Sequence, residues 1–317
     1  MSDRDGRGER LKVVVNPVAG QGTAVARLPH LRERLVALGL DHSVELTGGR
    51  WHAAEIARAA ALDGFTVIAA AGGDGTCNEV LNGIMEAKGA GARGPALAVL
   101  PIGRGNDFAF GVGAARRLDR ALESLAAGHR RPLDVGRVFG GDFPEGRYFG
   151  NGVGIGFDTL VGLEAARMRR LRGATAYAWA AVRTLATYSG APLVRVRFGE
   201  HEVVRRAALV SLMNGRRMGG AFFMAPAAAT DDGELDLCLA APPSRRAMVR
   251  LFVSFMRGTQ AASPHVTTGR ARELTVEALD GALVTHADGE TICTAGALLR
   301  VSCLPRQLDI LVPADAG

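Results

Sequence analysis

The sequence lacks the marks of several protein classes. Aromatic residues make up only 5% of its 317 residues, and no nucleic-acid-binding motif is present, so we do not expect nucleic acid as a partner. Its four cysteines show neither CxxC spacing nor a nearby histidine pattern, which argues against a zinc site and a disulfide framework. The GxxxxGK[ST] motif of P-loop nucleotide-binding proteins is absent as well, so a P-loop is excluded.

No segment has the pattern of a membrane span or a secretion signal. The most apolar helical stretch, Ala174–Tyr188, contains Arg183 and is shorter than the roughly 20 apolar residues that cross a bilayer. The first ten residues carry charges of both signs and lead straight into a strand pattern, unlike a signal peptide. We therefore expect a cytoplasmic protein.

What the chain does have is positive charge and length. Its formal net charge of +6 favours anionic partners such as nucleotide phosphates or anionic lipid head groups. A chain of 317 residues is long for one hydrophobic core, so we expect two domains.

The hydrophobic pattern changes about two fifths of the way along the chain. Residues 1–132 alternate short apolar runs with helical patterns, which predicts an α/β domain with a parallel sheet. Residues 133–307 read as many short strands, which indicates a β-sandwich with helical insertions near 158–188 and 245–256. The apolar run at 308–313 can return to the first domain as a strand. The predicted strands of the first domain are Leu11–Val15, His42–Leu46, Thr66–Ala70 and Ala96–Leu100.

The strongest local signal is a glycine-rich turn between the third predicted strand and a helix. Glycine lets the backbone approach a ligand closely, and N–H groups at a helix start can bind phosphate oxygens. Asp74 within such a turn suggests an accompanying cation, which Mg²⁺ on ATP would supply. A plain tight turn is the alternative. The turn consists of Gly72, Gly73, Asp74, Gly75, Thr76, Cys77 and Asn78.

Three other strand ends carry loops of similar character. Ligands of parallel sheets bind at the carboxyl ends of the strands, so we expect these loops to line one site. Asn106 and Asp107 can equally stabilise their own turn through side-chain to backbone hydrogen bonds. The candidate residues in these loops are Asn16, Thr47, Gly103, Arg104, Asn106 and Asp107.

Six motifs occur in the order seen in the diacylglycerol kinase-like bacterial lipid kinases, which this chain resembles over nearly its whole length. GGDGT alone also occurs in NAD kinases and sphingosine kinases and resembles the phosphofructokinase loop, whereas six motifs in series are specific. The motifs are NPxxG at 16–20, GGDGTxNEVxNG at 72–83, PxGxxNDFA at 101–109, GxGFD at 154–158, NGxxxGG…P…DDGxLDL at 214–237 and DGE at 288–290.

The resemblance implies a phosphofructokinase- and NAD kinase-like first domain, a β-sandwich second domain, and ATP held between them. It implies ATP contacts from Thr47 and from the glycine-rich turn. Arg104 stands where the family normally carries threonine, and it would either clamp a phosphate or turn to solvent.

The resemblance also implies a structural Mg²⁺ bound by the carboxylate of Asp232 and the backbone carbonyls of Ala229 and Glu234. The sequence Asp-Asp-Gly at 231–233, between two predicted strands, offers such oxygen ligands. An ordinary Asp-Gly hairpin turn is the alternative.

Glu290 is the expected general base. In phosphoryl transfer, a carboxylate near the acceptor hydroxyl can take its proton as the new bond forms. Asp288 would orient this turn or contact the metal shell, and Asp74 is the third carboxylate assigned to catalysis. An isolated DGE is common in surface hairpins, and a single histidine such as His286 beside a turn is more often incidental.

These signals together predict an ATP- and Mg²⁺-dependent lipid kinase that is peripherally associated with a membrane surface. The basic stretch Arg167–Arg172 could touch anionic head groups, although a helix covering one face of the sandwich explains it equally well. A kinase of a soluble acceptor and a catalytically silent nucleotide- or lipid-sensing protein stay open as alternatives. The acceptor lipid is not encoded in any motif, and a homodimer is compatible with the resemblance.

Overall fold

The computed structural model describes residues 9–103, 106–157, 159–161, 164, 183, 190–242 and 244–315. The chain divides into two units, each with a hydrophobic core of its own. Unit 1 comprises Met1–Leu133 and Leu308–Gly317, and unit 2 comprises Asp134–Gln307.

Unit 1 is built on a parallel sheet with the strand order β2-β1-β3-β4, followed by the end of β16. Val15 lies opposite Ala71, and Ile310 of the terminal segment lies opposite Leu97, so this segment is part of the unit 1 sheet. The strands are β1 (Leu11–Val15), β2 (His42–Leu46), β3 (Val67–Gly72), β4 (Ala96–Pro101) and β16 (Leu298–Leu311).

Helices cover both faces of this sheet. Alternate strand residues such as Val13, Ala69 and Leu100 pack against α1 and α5 through side chains such as Leu31 and Leu122. The intervening strand residues are also buried, because α2 and α3 pack on the opposite face. The helices are α1 (Thr23–Ala37), α2 (His52–Leu62), α3 (Asp74–Gly89), α4 (Asp107–Gly111) and α5 (Leu118–Ala127).

Unit 2 is a sandwich of two antiparallel sheets. Within unit 2 one sheet has the order β6-β5-β16-β13-β8-β9 and the other has the order β12-β11-β10-β7-β14-β15. Buried residues of both sheets, among them Phe149, Leu212, Val276 and Val301, form the core. The strands not yet given are β5 (Arg130–Gly140), β6 (Phe143–Phe149), β7 (Gly152–Gly156), β8 (Leu193–Phe198), β9 (His201–Arg206), β10 (Leu209–Met213), β11 (Leu235–Ala240), β12 (Val266–Ala271), β13 (Glu273–Asp280), β14 (Leu283–Ala287) and β15 (Glu290–Gly296).

The helix α6 (Arg245–Arg257) packs on unit 2. Its side chains Leu251 and Phe255 join a second, smaller apolar cluster that includes Met213 and Met224. The four cysteines are distributed over both units as buried thiols, with Cys77 in unit 1 and the other three in unit 2. The fold class predicted from the sequence, an α/β domain followed by a β-sandwich, is therefore confirmed.

The contact between α2 and α3 depends on Gly83. A Cβ atom at this position would overlap the carbonyl group of Ala54 in α2. The facing side of α2 is itself made of small residues, since Ala54, Ala57 and Ala61 are all buried. The two helices therefore approach each other at close to backbone distance, and this contact fixes the middle of α3 against α2.

We predict that Gly83→Ala destabilises the protein by about 1–3 kcal/mol, because the added methyl group must displace the α2 backbone. Gly89→Ala is the matched control in the same helix, since a Cβ there meets nothing within 4 Å. It should be neutral or stabilise by up to about 1 kcal/mol. Urea unfolding of the three proteins measures both effects, and equal midpoints for the two variants would contradict the assigned contact.

Candidate functional site

Four loops follow the carboxyl ends of β1 to β4 in unit 1. We call their described residues, 16–22, 47–51, 72–78 and 101–103 with 106–107, the loop cluster. Because the strands are parallel, these loops lie at one edge of the sheet. Hydrogen bonds and close backbone contacts join them.

The first and third loops are joined through Thr76. A side chain at Gly72 would overlap that of Thr76, so the absence of a Cβ at Gly72 makes room for the threonine. The Oγ1 of Thr76 accepts a hydrogen bond from Asn16 Nδ2 at 3.1 Å. The backbone N–H of Asn16 donates to the carbonyl oxygen of Ala71, also at 3.1 Å. Asn16 thus fixes the start of the first loop against the glycine-rich turn.

The third and fourth loops share a backbone acceptor. The carbonyl oxygen of Gly72 accepts the N–H groups of both Ile102 and Gly103, at 3.0 and 2.9 Å. A Cβ at Gly103 would overlap the Cα atom of Gly73, so the two backbones touch where neither residue has a side chain. Asn106 has a φ of 50° and closes the fourth loop by donating from Nδ2 to the carbonyl oxygen of Gly103 at 3.0 Å.

Asp74 connects the same two loops through its side chain. Its Oδ1 accepts the backbone N–H of Phe108 at 3.0 Å, in the first turn of α4. Asp107, the first residue of α4, is buried. The carboxylate predicted to face a metal therefore has a positioning role that the sequence did not reveal, and a metal contact by Asp74 stays a prediction.

The start of α3 is the part of the loop cluster best suited to bind an anion. Gly73 occupies the N-cap position without a side-chain cap, and the first N–H groups of a helix have no acceptor within the helix. The helix dipole adds partial positive charge at the same end. Gly75 is exposed, and a Cβ there would meet nothing within 4 Å. Backbone N–H groups at this end are thus accessible to phosphate oxygens.

Cys77 and Asn78 have the most buried side chains among the described residues predicted to contact the nucleotide. Cys77 and Asn78 are each at most 3% exposed, and the N–H of Cys77 already donates to the carbonyl oxygen of Gly73. The side chain of Asn82 donates to the carbonyl oxygen and to Oδ1 of Asn78. The side chains of Cys77 and Asn78 therefore support the helix start from within unit 1, and a nucleotide contact by these two residues stays a prediction.

The second loop is held by a residue that the sequence analysis missed. Thr47 is buried, and its N–H donates to the carbonyl oxygen of Val15 at 2.9 Å. Glu79 of α3 accepts the N–H of Ala53, in the first turn of α2, at 3.2 Å. Glu79 is part of the GGDGTxNEVxNG motif, which was the available signal. Arg104 and the stretch Arg167–Arg172 lie outside the described residues.

In unit 2, the DGE motif forms the hairpin between β14 and β15. Asp288 and Gly289 are the two turn residues, with φ values of 48° and 87°, and Ala287 pairs with Glu290 across them. Two successive positive φ values are typical of the tight turns that join antiparallel strands. Glu290 is the first residue of β15 and is half-buried.

The carboxylate of Asp288 accepts three backbone N–H groups. Its Oδ2 accepts from Gly150 at 2.7 Å, and its Oδ1 accepts from Asn151 at 3.0 Å and from Gly152 at 2.8 Å. The N–H of Asp288 donates back to the carbonyl oxygen of Gly152 at 3.0 Å. Of the two roles predicted for Asp288, this geometry favours orientation of the turn over contact with a metal.

Two buried asparagines that were not assigned from the sequence complete this arrangement. The Nδ2 of Asn214 donates to the carbonyl oxygens of Asp134 and Gly150, and its N–H donates to that of Asn151. A Cβ at Gly215 would overlap Oδ1 of Asn151. We call residues 150–152, 214–217 and 288–290 the hairpin support. In the sequence, this support is marked by two asparagine-glycine pairs, at 151–152 and 214–215.

At the predicted structural metal site, the guanidinium group of an arginine contacts the acidic side chains. Both Asp232 and Glu234 contact the guanidinium group of Arg270, which also lies 3.8 Å from Asp236. Asp236 and Arg270 are paired across β11 and β12. Among the described residues, no group of three or more acidic, histidine or cysteine side chains is arranged to bind a metal. A Mg²⁺ ion bound by the Asp232 carboxylate would have to displace Arg270, and the site predicted for Asp232, Ala229 and Glu234 stays a prediction.

Asp134 stabilises the turn that contains Asp232 and Gly233. Its carboxylate accepts the N–H groups of Gly233 at 2.6 Å and Arg306 at 2.7 Å. Burial raises the pKa of Asp134, and its two backbone hydrogen bonds oppose this effect. Burial likewise raises the pKa of Asp236 to about 6, against the attraction of Arg270.

Two family models match the chain. Residues 10–138 match the diacylglycerol kinase catalytic domain, and residues 151–312 match the YegS C-terminal NAD kinase beta sandwich-like domain. The chain belongs to the diacylglycerol kinase-like lipid kinase family. The resemblance predicted from the six motifs is thereby confirmed, and unit 1 carries the catalytic-domain match of this family.

Relatives with the family name are similar over nearly their full length. A diacylglycerol kinase of Mycobacterium tuberculosis is 31% identical over 306 residues, which cover 96% of this chain and 95% of the relative. A diacylglycerol kinase of Bacillus subtilis is 27% identical, covering 89% and 90%. A probable lipid kinase YegS-like of Pseudomonas aeruginosa is 30% identical, covering 88% and 87%.

Solved structures extend the similarity to the fold. A diacylglycerol kinase crystal structure from Bacillus anthracis has a TM-score of 0.72 at 20% identity and covers 99% of this chain and 100% of that one. An NAD kinase from Archaeoglobus fulgidus in complex with ATP has a TM-score of 0.54 at 14% identity, covering 97% and 95%. Identities this low show the shared fold alone. Across the described ranges of our chain, every helix falls short of the length and hydropathy that a bilayer crossing requires.

We predict that Asp288→Asn lowers the free energy of unfolding by about 1–3 kcal/mol. Asparagine tolerates a positive φ, but its amide group presents N–H to backbone N–H donors that the carboxylate accepts, and buried donors without an acceptor are costly. Asp280→Asn is the control, because its exposed carboxylate has a surface ion pair with Arg206 and such pairs contribute about 0–1 kcal/mol. Denaturant unfolding compares them, and equal losses would argue against the hairpin support.

A second prediction concerns pH. The pKa of Asp236 is raised from 3.8 to about 6 in the folded state, so the folded protein binds this proton more tightly than the unfolded chain. Its contribution to stability is complete below pH 4 and is lost as pH rises to 6, by about 3 kcal/mol in total.

Asp236→Asn removes this titration. The stability of Asp236→Asn relative to the parent protein should therefore rise between pH 4 and pH 6.5, measured by urea unfolding at intervals of half a pH unit. Asp134 titrates in both proteins and cancels in the difference. A difference that is flat or falls with pH would show that Asp236 is not buried as the structure has it.

Proposed function

We propose that the chain is a kinase that transfers the γ-phosphoryl group of ATP to a lipid hydroxyl. Membership of the diacylglycerol kinase-like family supports a lipid kinase. The use of ATP with Mg²⁺, the acceptor and the residue roles are the parts that the proposal adds.

The observation that carries the proposal is the backbone contact between Gly73 and Gly103 beside the start of α3. The contact leaves no side chain between the two loops, and the hydrogen bond from Phe108 to Asp74 fixes their spacing. Such a surface suits a polyphosphate, which needs several N–H donors within reach and a backbone that it can approach closely. We therefore assign the ATP phosphates to the loop cluster of unit 1.

Glu290 is our candidate for the general base. In the transfer, the acceptor O–H bond breaks as the O–P bond forms, ADP leaves, and the acceptor proton passes to the carboxylate. Asp288 acts as a positioning residue, because its three hydrogen bonds hold the turn from which Glu290 extends. A rigid turn limits the number of rotamers and positions that Glu290 can sample.

Mg²⁺ is expected to enter with ATP as part of the substrate, where it neutralises phosphate charge. Asp74 is our candidate for approaching that ion, since it is half-buried at the start of α3. A second Mg²⁺ ion at Asp232 would have to displace Arg270 from the carboxylate. We place the reaction at a membrane surface, since the lipid acceptors of such a kinase reside in bilayers. The names of the relatives, diacylglycerol kinase and probable lipid kinase, support a lipid acceptor.

The experiment is phosphoryl transfer from labelled ATP to a panel of acceptors. The panel contains diacylglycerol, a sphingoid base, a polyprenol and phosphatidylglycerol in mixed micelles, with NAD as a soluble acceptor. We expect label in at least one lipid and none in NAD. Glu290→Gln should lower kcat by about 100-fold or more, because a general base typically contributes that much. Asp74→Ala should raise the KM for ATP.

The control is Glu202→Gln, an exposed glutamate on β9 that pairs with Arg197. It should retain the activity of the parent protein. Label in NAD with none in any lipid would overturn the lipid acceptor, and full activity of Glu290→Gln would overturn the assigned base. Absence of transfer to every acceptor would favour a nucleotide- or lipid-sensing protein.

A further inference from the structure

The helix α6 has more apolar surface than its packing on unit 2 requires. Its N-cap, Ser244, accepts the N–H of Ala247, and the helix ends at Gly258 with a φ of 70°. Leu251 and Phe255 are buried in the smaller apolar cluster of unit 2. These contacts account for the inner side of the helix. They do not account for the apolar residues on its exposed side.

An apolar stripe lies on the exposed side. Val249, Val253 and Met256 are 60%, 38% and 47% exposed. They are four and three residues apart, so they lie along one face of the helix. Phe252 continues this stripe towards the core, with its ring 4.9 Å from that of Phe222. No other described helix carries three exposed large apolar residues.

A basic stripe runs beside the apolar one. Arg250 and Arg257 are exposed and each follows an apolar stripe residue by one position, about 100° further around the helix. The sequence adds arginines at 245 and 246. The helix Arg245–Arg257 contains four arginines and no aspartate or glutamate. No acidic residue of the helix itself therefore neutralises this positive charge.

These observations favour an anionic lipid surface as the occupant. Helices with arginines beside exposed apolar residues bind at the interface of anionic membranes, where the apolar side chains enter the acyl region and the arginines meet head groups. A second copy of the helix is disfavoured, because a symmetric pairing of the two faces would bring arginines of one copy close to those of the other. A purely apolar partner would account for the exposed valines and methionine alone. An anionic lipid surface accounts for these residues and for the neighbouring arginines.

We propose that α6 docks the protein on anionic phospholipid bilayers through Val249, Val253 and Met256 together with Arg250 and Arg257. The inference rests on the proposed function in one respect, since a lipid kinase needs a surface that holds it at its substrate. Docking itself requires neither ATP nor the residues of the loop cluster or the hairpin support.

The first test is co-sedimentation of the full chain with vesicles in the absence of nucleotide. Vesicles of phosphatidylglycerol and phosphatidylcholine should bind the protein, vesicles of phosphatidylcholine alone should bind it at least tenfold more weakly, and added salt should reduce binding. The double variant Val249→Glu with Val253→Glu should lower the apparent affinity at least tenfold. Arg250→Glu with Arg257→Glu should do the same.

The control is Val36→Glu, which alters a valine on α1 that is 69% exposed. It should bind vesicles like the parent protein. Equal binding of the α6 variants and the parent protein would overturn the proposal. Equal binding of the parent protein to both kinds of vesicle would also overturn it. So would size-exclusion chromatography that shows a dimer for the parent protein and a monomer for Val249→Glu with Val253→Glu. Thermal unfolding verifies that the variants are folded.

A second readout separates this inference from the proposed function. The variant Val249→Glu with Val253→Glu should phosphorylate a lipid acceptor in non-ionic detergent micelles at the parental rate. On anionic vesicles its activity should be at least tenfold lower than that of the parent protein. A parental rate on vesicles would overturn docking by α6. A protein that binds anionic vesicles through α6 but phosphorylates no acceptor would retain the docking surface and refute the kinase.

Discussion

The carbonyl oxygen of Gly72 accepts two hydrogen bonds, from Ile102 and Gly103, and the arrangement of unit 1 at its candidate site follows from them. They require the chain leaving β4 to turn back over the end of β3. Gly73 and Gly103 can then meet only because neither has a side chain. Asp74 extends the same connection into α4, so the glycine-rich turn and the fourth loop form one rigid surface. The start of α3 is held at its centre.

In unit 2, side chains rather than backbone contacts hold the loop of the candidate site in place. A two-residue turn between β14 and β15 would be mobile by itself, and the carboxylate of Asp288 anchors it to three consecutive backbone N–H groups. Asn151 and Asn214 then hold that segment against the end of β10. Each unit thus presents one predicted reactive region, which is held by backbone contacts in unit 1 and by side-chain to backbone hydrogen bonds in unit 2.

The sequence predicted the parallel sheet of unit 1, the β-sandwich character of unit 2 and the four loops at the strand ends, because hydrophobic periodicity and glycine position depend on local residues. It did not predict which groups the carboxylates contact. The motifs assign Asp74 to a metal contact and Asp288 to the turn or the metal shell, yet the backbone N–H groups that donate to them lie 34 and more than 130 residues away in the chain. Arg270 opposes Asp232 only after β11 and β12 pair, so no local pattern distinguished an ion pair from a metal ligand. Cys77 and Asn78 sit inside the motif, but the turn of α3 directs them into the core.

The burial of the four thiols has a practical consequence for studying the two units. Cys77 belongs to α3, and Cys238, Cys293 and Cys303 belong to the strands of unit 2. Burial raises the pKa of Cys303 to about 12, and a thiol reacts with alkylating reagents as its thiolate, so native protein should react slowly. The rate at which each cysteine is alkylated then reports how often its surroundings open. The wild-type chain thereby carries its own reporters of local opening, one for α3 and three for the sandwich.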